Sequence, residues 1–191
     1  MKIGLLGGMF DPIHLGHLRA ADIVRESLGL DEVVFVPARV PPHRERPAAD
    51  ELDRYAMVAL GTAGHRPYVP SDLELRREGP SYTVETVAAL VHAHPGAEVV
   101  LIIGSDNLSM IAEWREPERL LALCTVAVVE RPGAPPAAGG GLPEARLRRV
   151  EGTALPIASR DLRESVRAGR SVHHLVPDAV ADYIDKRGLY R

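Results

Sequence analysis

The chain has 191 residues, 46% of them apolar and 26% charged, with a formal net charge of −3. That mix belongs to a globular protein, long enough for one domain over residues 1–191 and too short for two comfortable ones. The slight acidity excludes a general nucleic-acid binder, which needs a basic stripe to displace counterions, yet leaves room for a few cations around a small anion.

In chain order, Ile3–Leu6 is a strand-length apolar run without alternation, as a parallel sheet covered on both faces requires. The apolar N-terminus is too short for a signal peptide and Asp11 interrupts it. No later run approaches the roughly 18 residues that span a bilayer, so a cytoplasmic protein with no membrane partner is expected. The glycine-rich segment Gly7–His17 comes next. Leu18, Ala21, Val24 and Leu28 then recur at helical spacing, and Gly29 sits where a left-handed cap ends a helix. Val33–Val36 is a second buried strand. The irregular stretch Pro37–Pro47 carries Arg39, His43, Arg44 and Arg46.

Val84, Val87, Ala88 and Val91 mark another helix, ended by Pro95-Gly96. Val99–Ile103 and Val126–Val129 are further strands. Cys124, the sole cysteine, lies in the apolar run Leu120–Val129, which suits a buried structural thiol and leaves no partner for a disulfide. Pro132–Pro143 is a low-complexity loop expected to be mobile. Leu162 and Val166 precede Gly169, and Val180, Tyr183 and Ile184 precede Gly188, as two closing helices. Strands alternating with helices predict an α/β fold: a Rossmann-like, doubly wound sheet, mainly parallel, with helices on both faces.

Gly7-Gly8-Met9-Phe10-Asp11-Pro12-Ile13-His14-Leu15-Gly16-His17 falls where the first strand turns into the first helix, the ligand crevice of such a sheet. Its glycines let main chain approach a phosphate, and a helix beginning near His14–Gly16 offers free N–H groups and a positive dipole end. His14 and His17, three apart, share a helix face, and Gly16 is read as leaving space between them for a ligand. The spacing is not Gly-x-Gly-x-x-Gly, and Pro37-Ala38 stands where a ribose-binding acid would end the second strand. No Gly-Lys-Ser/Thr follows, so a Walker A loop is also excluded. Zinc on His14 and His17 would need a remote third ligand such as His43 or His173.

This segment resembles the Gly-x-Phe-Asp-Pro-x-His-x-Gly-His motif of the nucleotidylyltransferase superfamily. Pro41-Pro42-His43-Arg44, Pro80-Ser81-Tyr82-Thr83 with Thr86, Gly104-Ser105-Asp106, Trp114 and the ending Gly188-Leu189-Tyr190 are similar, in order, to segments of the bacterial nicotinate-nucleotide adenylyltransferases. The resemblance implies transfer of AMP from ATP to nicotinate mononucleotide, giving deamido-NAD and pyrophosphate in NAD biosynthesis. It implies that His14 and His17 act on the ATP phosphates, and that Gly8, Met9, Phe10, Asp106, Ser159 and Arg163 also bind ATP. Arg44, Tyr82, Thr83, Thr86 and Trp114 would hold the mononucleotide. Mg²⁺ would arrive with the triphosphate, bound mainly by substrate oxygens and water rather than by a protein site.

The chain departs from the family pattern in two places. Met9 stands where Thr is frequent, which removes a hydroxyl and keeps the backbone. In Ile157-Ala158-Ser159-Arg160-Asp161-Leu162-Arg163, Ala158 and Arg160 replace hydroxyl residues, while Ser159 and Arg163 are retained. Plainer readings stand beside the functional ones. Trp114 could simply pack, Asp106 could cap a helix, Thr83 and Thr86 could start one, and Arg44 and Arg46 could be a solvated loop face. Pantetheine-phosphate adenylyltransferase shares the first motif but not the Pro-Pro-His-Arg and Pro-Ser-Tyr-Thr segments. A non-catalytic nucleotide-binding regulator would not need both histidines. A homo-oligomer is compatible with all of this.

Overall fold

A computed structural model describes residues 1–40, 46–130, 143 and 146–191. The four apolar runs all lie in one sheet, because none of them has a polar side to turn to water. They form β1 (Lys2–Gly8), β2 (Glu32–Pro37), β4 (Glu98–Gly104) and β5 (Thr125–Val129). Two short strands complete the sheet at its edges, β3 (Tyr68–Pro70) and β6 (Leu147–Val150). Among the described residues the order is β3-β2-β1-β4-β5-β6, and every pairing is parallel.

Alternate residues of the central strands enter separate cores. Leu6, Val33, Phe35, Val100, Ile102 and Ala127 join one, and Ile3, Leu5, Val34, Leu101, Ile103 and Val126 the other. The first core is covered by α1 (Leu15–Leu28), α2 (Glu51–Thr62), α6 (Ser159–Arg167) and α7 (Asp178–Arg187). The second is covered by α3 (Thr83–Ala93), α4 (Ser105–Leu108), a 3-10 turn at Ile111–Glu113 and α5 (Pro117–Leu123). Fully burying each large apolar side chain contributes about 1.5–3 kcal/mol. Gly29 and Gly188 end α1 and α7 in the left-handed conformation, at φ 64° and 63°, as their positions predict. Among the described residues no helix is long and apolar enough to cross a membrane.

Helices α2 and α5 and strands β3 and β6 were not expected. In α2, Asp53 and Arg54 are buried beside Met57 and Val58, so a charged pair interrupts the apolar stripe. Asp53 ties α2 to α7 by accepting from Tyr183 Oη at 2.8 Å and Arg187 Nε at 3.1 Å. The run Leu120–Val129 is not one element: α5 ends at Leu123 and β5 begins at Thr125, with Cys124 buried between them. β6 carries exposed Arg148 and Arg149 at the sheet edge, which leaves no apolar run to see. Of Pro132–Pro143 only Pro143 is described, so the expected loop mobility lies outside the described residues.

The strand order reverses direction between β1 and β4. β1 and β4 pair only from Lys2↔Glu98 to Leu5↔Leu101, whereas β1 follows β2 as far as Gly8↔Pro37 and β4 follows β5 to Gly104↔Val129. Beyond Leu5 and Leu101 the two strands therefore part, and a crevice opens at their carboxyl ends. Gly7-Gly8 stands on one lip and Gly104-Ser105-Asp106 on the other.

Candidate active site

The turn from β1 to α1 forms the floor of the crevice. Gly7 is exposed, and a Cβ added there would meet nothing within 4 Å, so its main chain is open to a ligand. Phe10 adopts φ 46°, the left-handed region, which costs an L-residue on the order of 1–2 kcal/mol. Its ring offsets that cost by near-complete burial, with Phe35 at 6.0 Å and His17 at 5.0 Å between ring centroids. The Phe10 ring is thus closed to a ligand.

Four parts of the chain clasp this turn. Arg54 of α2 donates from Nη1 to the Met9 carbonyl at 2.8 Å. The Asp11 carboxylate is 2% exposed and accepts from the Ala48 amide at 2.8 Å, the Ala49 amide at 3.1 Å and the Tyr190 hydroxyl at 2.9 Å. Arg163 of α6 donates to the Asp11 carbonyl at 2.8 Å, and its Nη1 lies 3.7 Å from Asp11 Oδ2. Ser159 Oγ, at the start of α6, donates to the Pro12 carbonyl at 3.0 Å. Burial beside the Asp11 carboxylate pushes the Tyr190 hydroxyl well above the usual phenol range, so it stays a donor.

His14 caps α1, with φ −145° and ψ 169°. Its amide donates to His17 Nδ1 at 3.2 Å. An accepting Nδ1 places the proton of neutral His17 on Nε2, leaving that nitrogen as the donor. The two imidazoles stack at 3.6 Å between centroids and 20° between planes. This corrects the expectation that Gly16 opens space for a ligand between them. A Cβ on Gly16 would lie 2.9 Å from His14 Nδ1 and 3.0 Å from its Cε1, so the glycine accommodates the His14 ring itself. Gly16→Ala is therefore expected to displace that ring and lower kcat by about 10–100-fold. Steady-state turnover measures this, and an unchanged kcat would show that the stacked pair tolerates displacement.

Across the crevice, Tyr82 caps α3 and Thr83 is its first residue. Their neighbour Thr86 is 1% exposed. Its hydroxyl donates to Glu74 Oε1 at 2.6 Å and accepts from Arg77 Nη2 at 3.2 Å, which turns it into the protein rather than the crevice. Burial pushes the Glu74 carboxyl above its usual range, opposed by hydrogen bonds from Thr86 and Ser81 and by the Arg77 charge. Ser81 Oγ accepts the Arg39 amide at 3.0 Å, and Arg39 Nη1 donates to the Arg77 carbonyl at 2.9 Å. This network fixes where α3 begins. Trp114 is half-buried against the second core, where Tyr82 also packs. Arg115 lies 4.6 Å over the Tyr82 ring, joining the two aromatic segments. Asp106 is exposed in the first turn of α4, and Gly104, not Asp106, occupies the capping position. Arg44 lies outside the described residues, and Arg46 is exposed.

The family model described as Cytidylyltransferase-like matches residues 5–176. A protein of Geotalea uraniireducens named "Probable nicotinate-nucleotide adenylyltransferase" is 43% identical, over 100% of this chain and 98% of its own length. One of the same name from Thermus thermophilus is 45% identical over 100% of both. The chain belongs to the nicotinate-nucleotide adenylyltransferase family. The solved Plasmodium falciparum nicotinic acid mononucleotide adenylyltransferase complexed with NaAD shares the fold, with a TM-score of 0.79 at 20% identity, covering 99% of this chain and 97% of that one.

In this adenylyltransferase Gly8, Met9, Phe10, His14, His17, Ser159 and Arg163 converge on one turn. Asp106 stands at the end of β4, and Tyr82, Thr83 and Trp114 gather beside the second core. Sequence reasoning missed Arg54, Glu74 and Arg115, and attached no role to Asp11 or Tyr190. A charge on the apolar face of α2 was the available sign of Arg54. Nothing in local spacing pairs Asp11 with Tyr190.

Proposed function

We propose that this chain joins nicotinate mononucleotide to the AMP moiety of ATP, giving deamido-NAD and pyrophosphate. The turn Gly7–His17 carries the reading: a clasped loop with exposed glycine backbone, ending in a histidine whose Nε2 is a donor. The attacking group is a phosphate monoester, mostly dianionic at neutral pH because its second pKa is about 6. Its oxygen bonds to the α-phosphorus of ATP as the bond to the bridging oxygen breaks, and pyrophosphate leaves with that electron pair. No general base is required. The barrier lies in bringing two anions together, so preorganised donors and cations are what the protein supplies.

His17 and the backbone of Gly8–Phe10 bind the ATP phosphates, with His14 fixing His17 by its amide and its ring. Arg163 and Ser159 stand at the start of α6, where helix dipole and guanidinium both favour the leaving pyrophosphate. Asp106 meets a ribose hydroxyl at the end of β4. Among the described residues no group of three or more His, Cys, Asp or Glu could hold a metal, and the Asp11 oxygens are committed to Ala48, Ala49 and Tyr190. This donor set fits Mg²⁺ carried by the triphosphate itself, where it would neutralise phosphate charge.

The nicotinate ring lies against Trp114 and Tyr82, with its carboxylate at the first amides of α3, which lack intrahelical partners. Thr86 supports that helix start through Glu74. A carboxamide is nearly the same size but must turn an NH₂ toward one of those donors, at a cost of about 1–3 kcal/mol. Pyrophosphate release is therefore expected to favour nicotinate mononucleotide over its amide by about tenfold or more in kcat/KM. Trp114→Ala should weaken both substrates. Turnover with nicotinate mononucleotide, nicotinamide mononucleotide and phosphopantetheine, side by side, tests the assignment. Equal rates for the two pyridine nucleotides would defeat the helix-start account, and preference for phosphopantetheine would defeat the substrate assignment.

A further inference from the structure

Arg54 is unusual in its burial. It is 1% exposed, on a helix otherwise turned to the first core by Met57 and Val58. Nη1 donates to the Met9 carbonyl at 2.8 Å, while Nε is buried without a hydrogen-bond partner. The charges facing it are Asp11 of the turn, Asp50 and Glu51 at the start of its own helix, and Glu74, together with the Tyr190 hydroxyl. Burial lowers the guanidinium pKa from its ordinary value, against the pull of those acids. A buried cation held by one contact to a carbonyl is a poor device for stability. The carbonyl it holds is what matters.

Met9 precedes Phe10, the one residue of the turn in the left-handed region among its non-glycine members. The peptide between them is planar and trans, so its carbonyl and its N–H point in opposite directions. Tying the Met9 carbonyl to α2 turns the Phe10 N–H to the opposite side of the peptide, away from Arg54. We infer that Arg54 is a positioning residue for ATP: by fixing the Met9–Phe10 peptide plane it aims the Phe10 N–H at the phosphates. With Met9 carrying no hydroxyl, this backbone donor is the part of the position left to meet the nucleotide. The inference rests on the ATP side of the proposed reaction, and binding tests it without turnover.

The experiment is calorimetric titration of wild type, Arg54→Met, Arg54→Lys and Arg54→Gln with α,β-methylene-ATP plus Mg²⁺, and separately with nicotinate mononucleotide. Arg54→Met is expected to lose about tenfold or more in affinity for the triphosphate while nicotinate mononucleotide stays within about twofold. Arg54→Lys, which keeps a cationic donor to the carbonyl, should recover to within about threefold of wild type, with Arg54→Gln between Lys and Met. If Arg54→Met does not fold, the order of Lys and Gln against wild type carries the same test. Equal weakening of both ligands, unchanged triphosphate affinity, or no advantage of Lys over Gln overturns the inference. Failure of all three variants to fold also overturns it, by making Arg54 a requirement of the fold. Wild-type protein that binds the triphosphate but not nicotinate mononucleotide would instead refute the substrate assignment and leave the Arg54 test intact.

Discussion

His17→Ala is expected to lower kcat by a factor on the order of 10²–10³ with the fold intact. His17 Nδ1 is occupied by the His14 amide at 3.2 Å, which places the proton of the neutral ring on Nε2. Loss of a single preorganised donor to developing charge would account for that magnitude, because the group is already in place. The substitution also removes a cap contact at the start of α1, worth about 1 kcal/mol, which a domain with two cores absorbs. Steady-state pyrophosphate release beside a thermal melt separates the two effects. Near-normal kcat in a folded variant would remove His17 from the chemistry.

Asp11→Ala is expected to cost about 3–5 kcal/mol of stability, since it strands the Ala48 and Ala49 amides and the Tyr190 hydroxyl without an acceptor and Arg163 without its nearby carboxylate. For a chain of this size each kcal/mol shifts Tm by about 2–4 °C, so a fall on the order of 6–20 °C should appear in calorimetry. Asp11→Asn should fall between, because one amide oxygen still accepts while the NH₂ faces a backbone donor. A Tm unchanged by Asp11→Ala would mean the buried clasp contributes nothing.

The central sheet was legible because Ile3–Leu6, Val33–Val36, Val99–Ile103 and Val126–Val129 have no polar side, and two buried faces leave that mark on sequence. The turn was legible because Gly7–His17 concentrates its chemistry in one contiguous string. What escaped were features that depend on neighbours far along the chain. β3 has three residues and ends in Pro70, too few for a periodic signal. Arg54 and Asp53 make α2 look half-solvated, and only tertiary contacts show what each meets inside: the Met9 carbonyl for Arg54, Tyr183 and Arg187 for Asp53. The spacing of His14 and His17 announced a shared face but not that the rings stack, because that depends on rotamers. Thr86 stood in the right segment, but its hydroxyl answers to Glu74, twelve positions away.

Tyr190 reaches Asp11 across 179 positions. A chain leaving the ribosome from its N-terminus exposes the turn Gly7–His17 before α2 and α6, which can supply Arg54 and Arg163 as they emerge. The tyrosine is synthesised after every other residue of the clasp. Contacts between such distant positions close the largest loops and carry the greatest entropic cost, so they form when the intervening chain is already compact. The turn Gly7–His17 is thus synthesised before each of its clasps and is among the last parts to be locked, and a nascent chain lacks the fully anchored turn until residue 190 has cleared the exit tunnel.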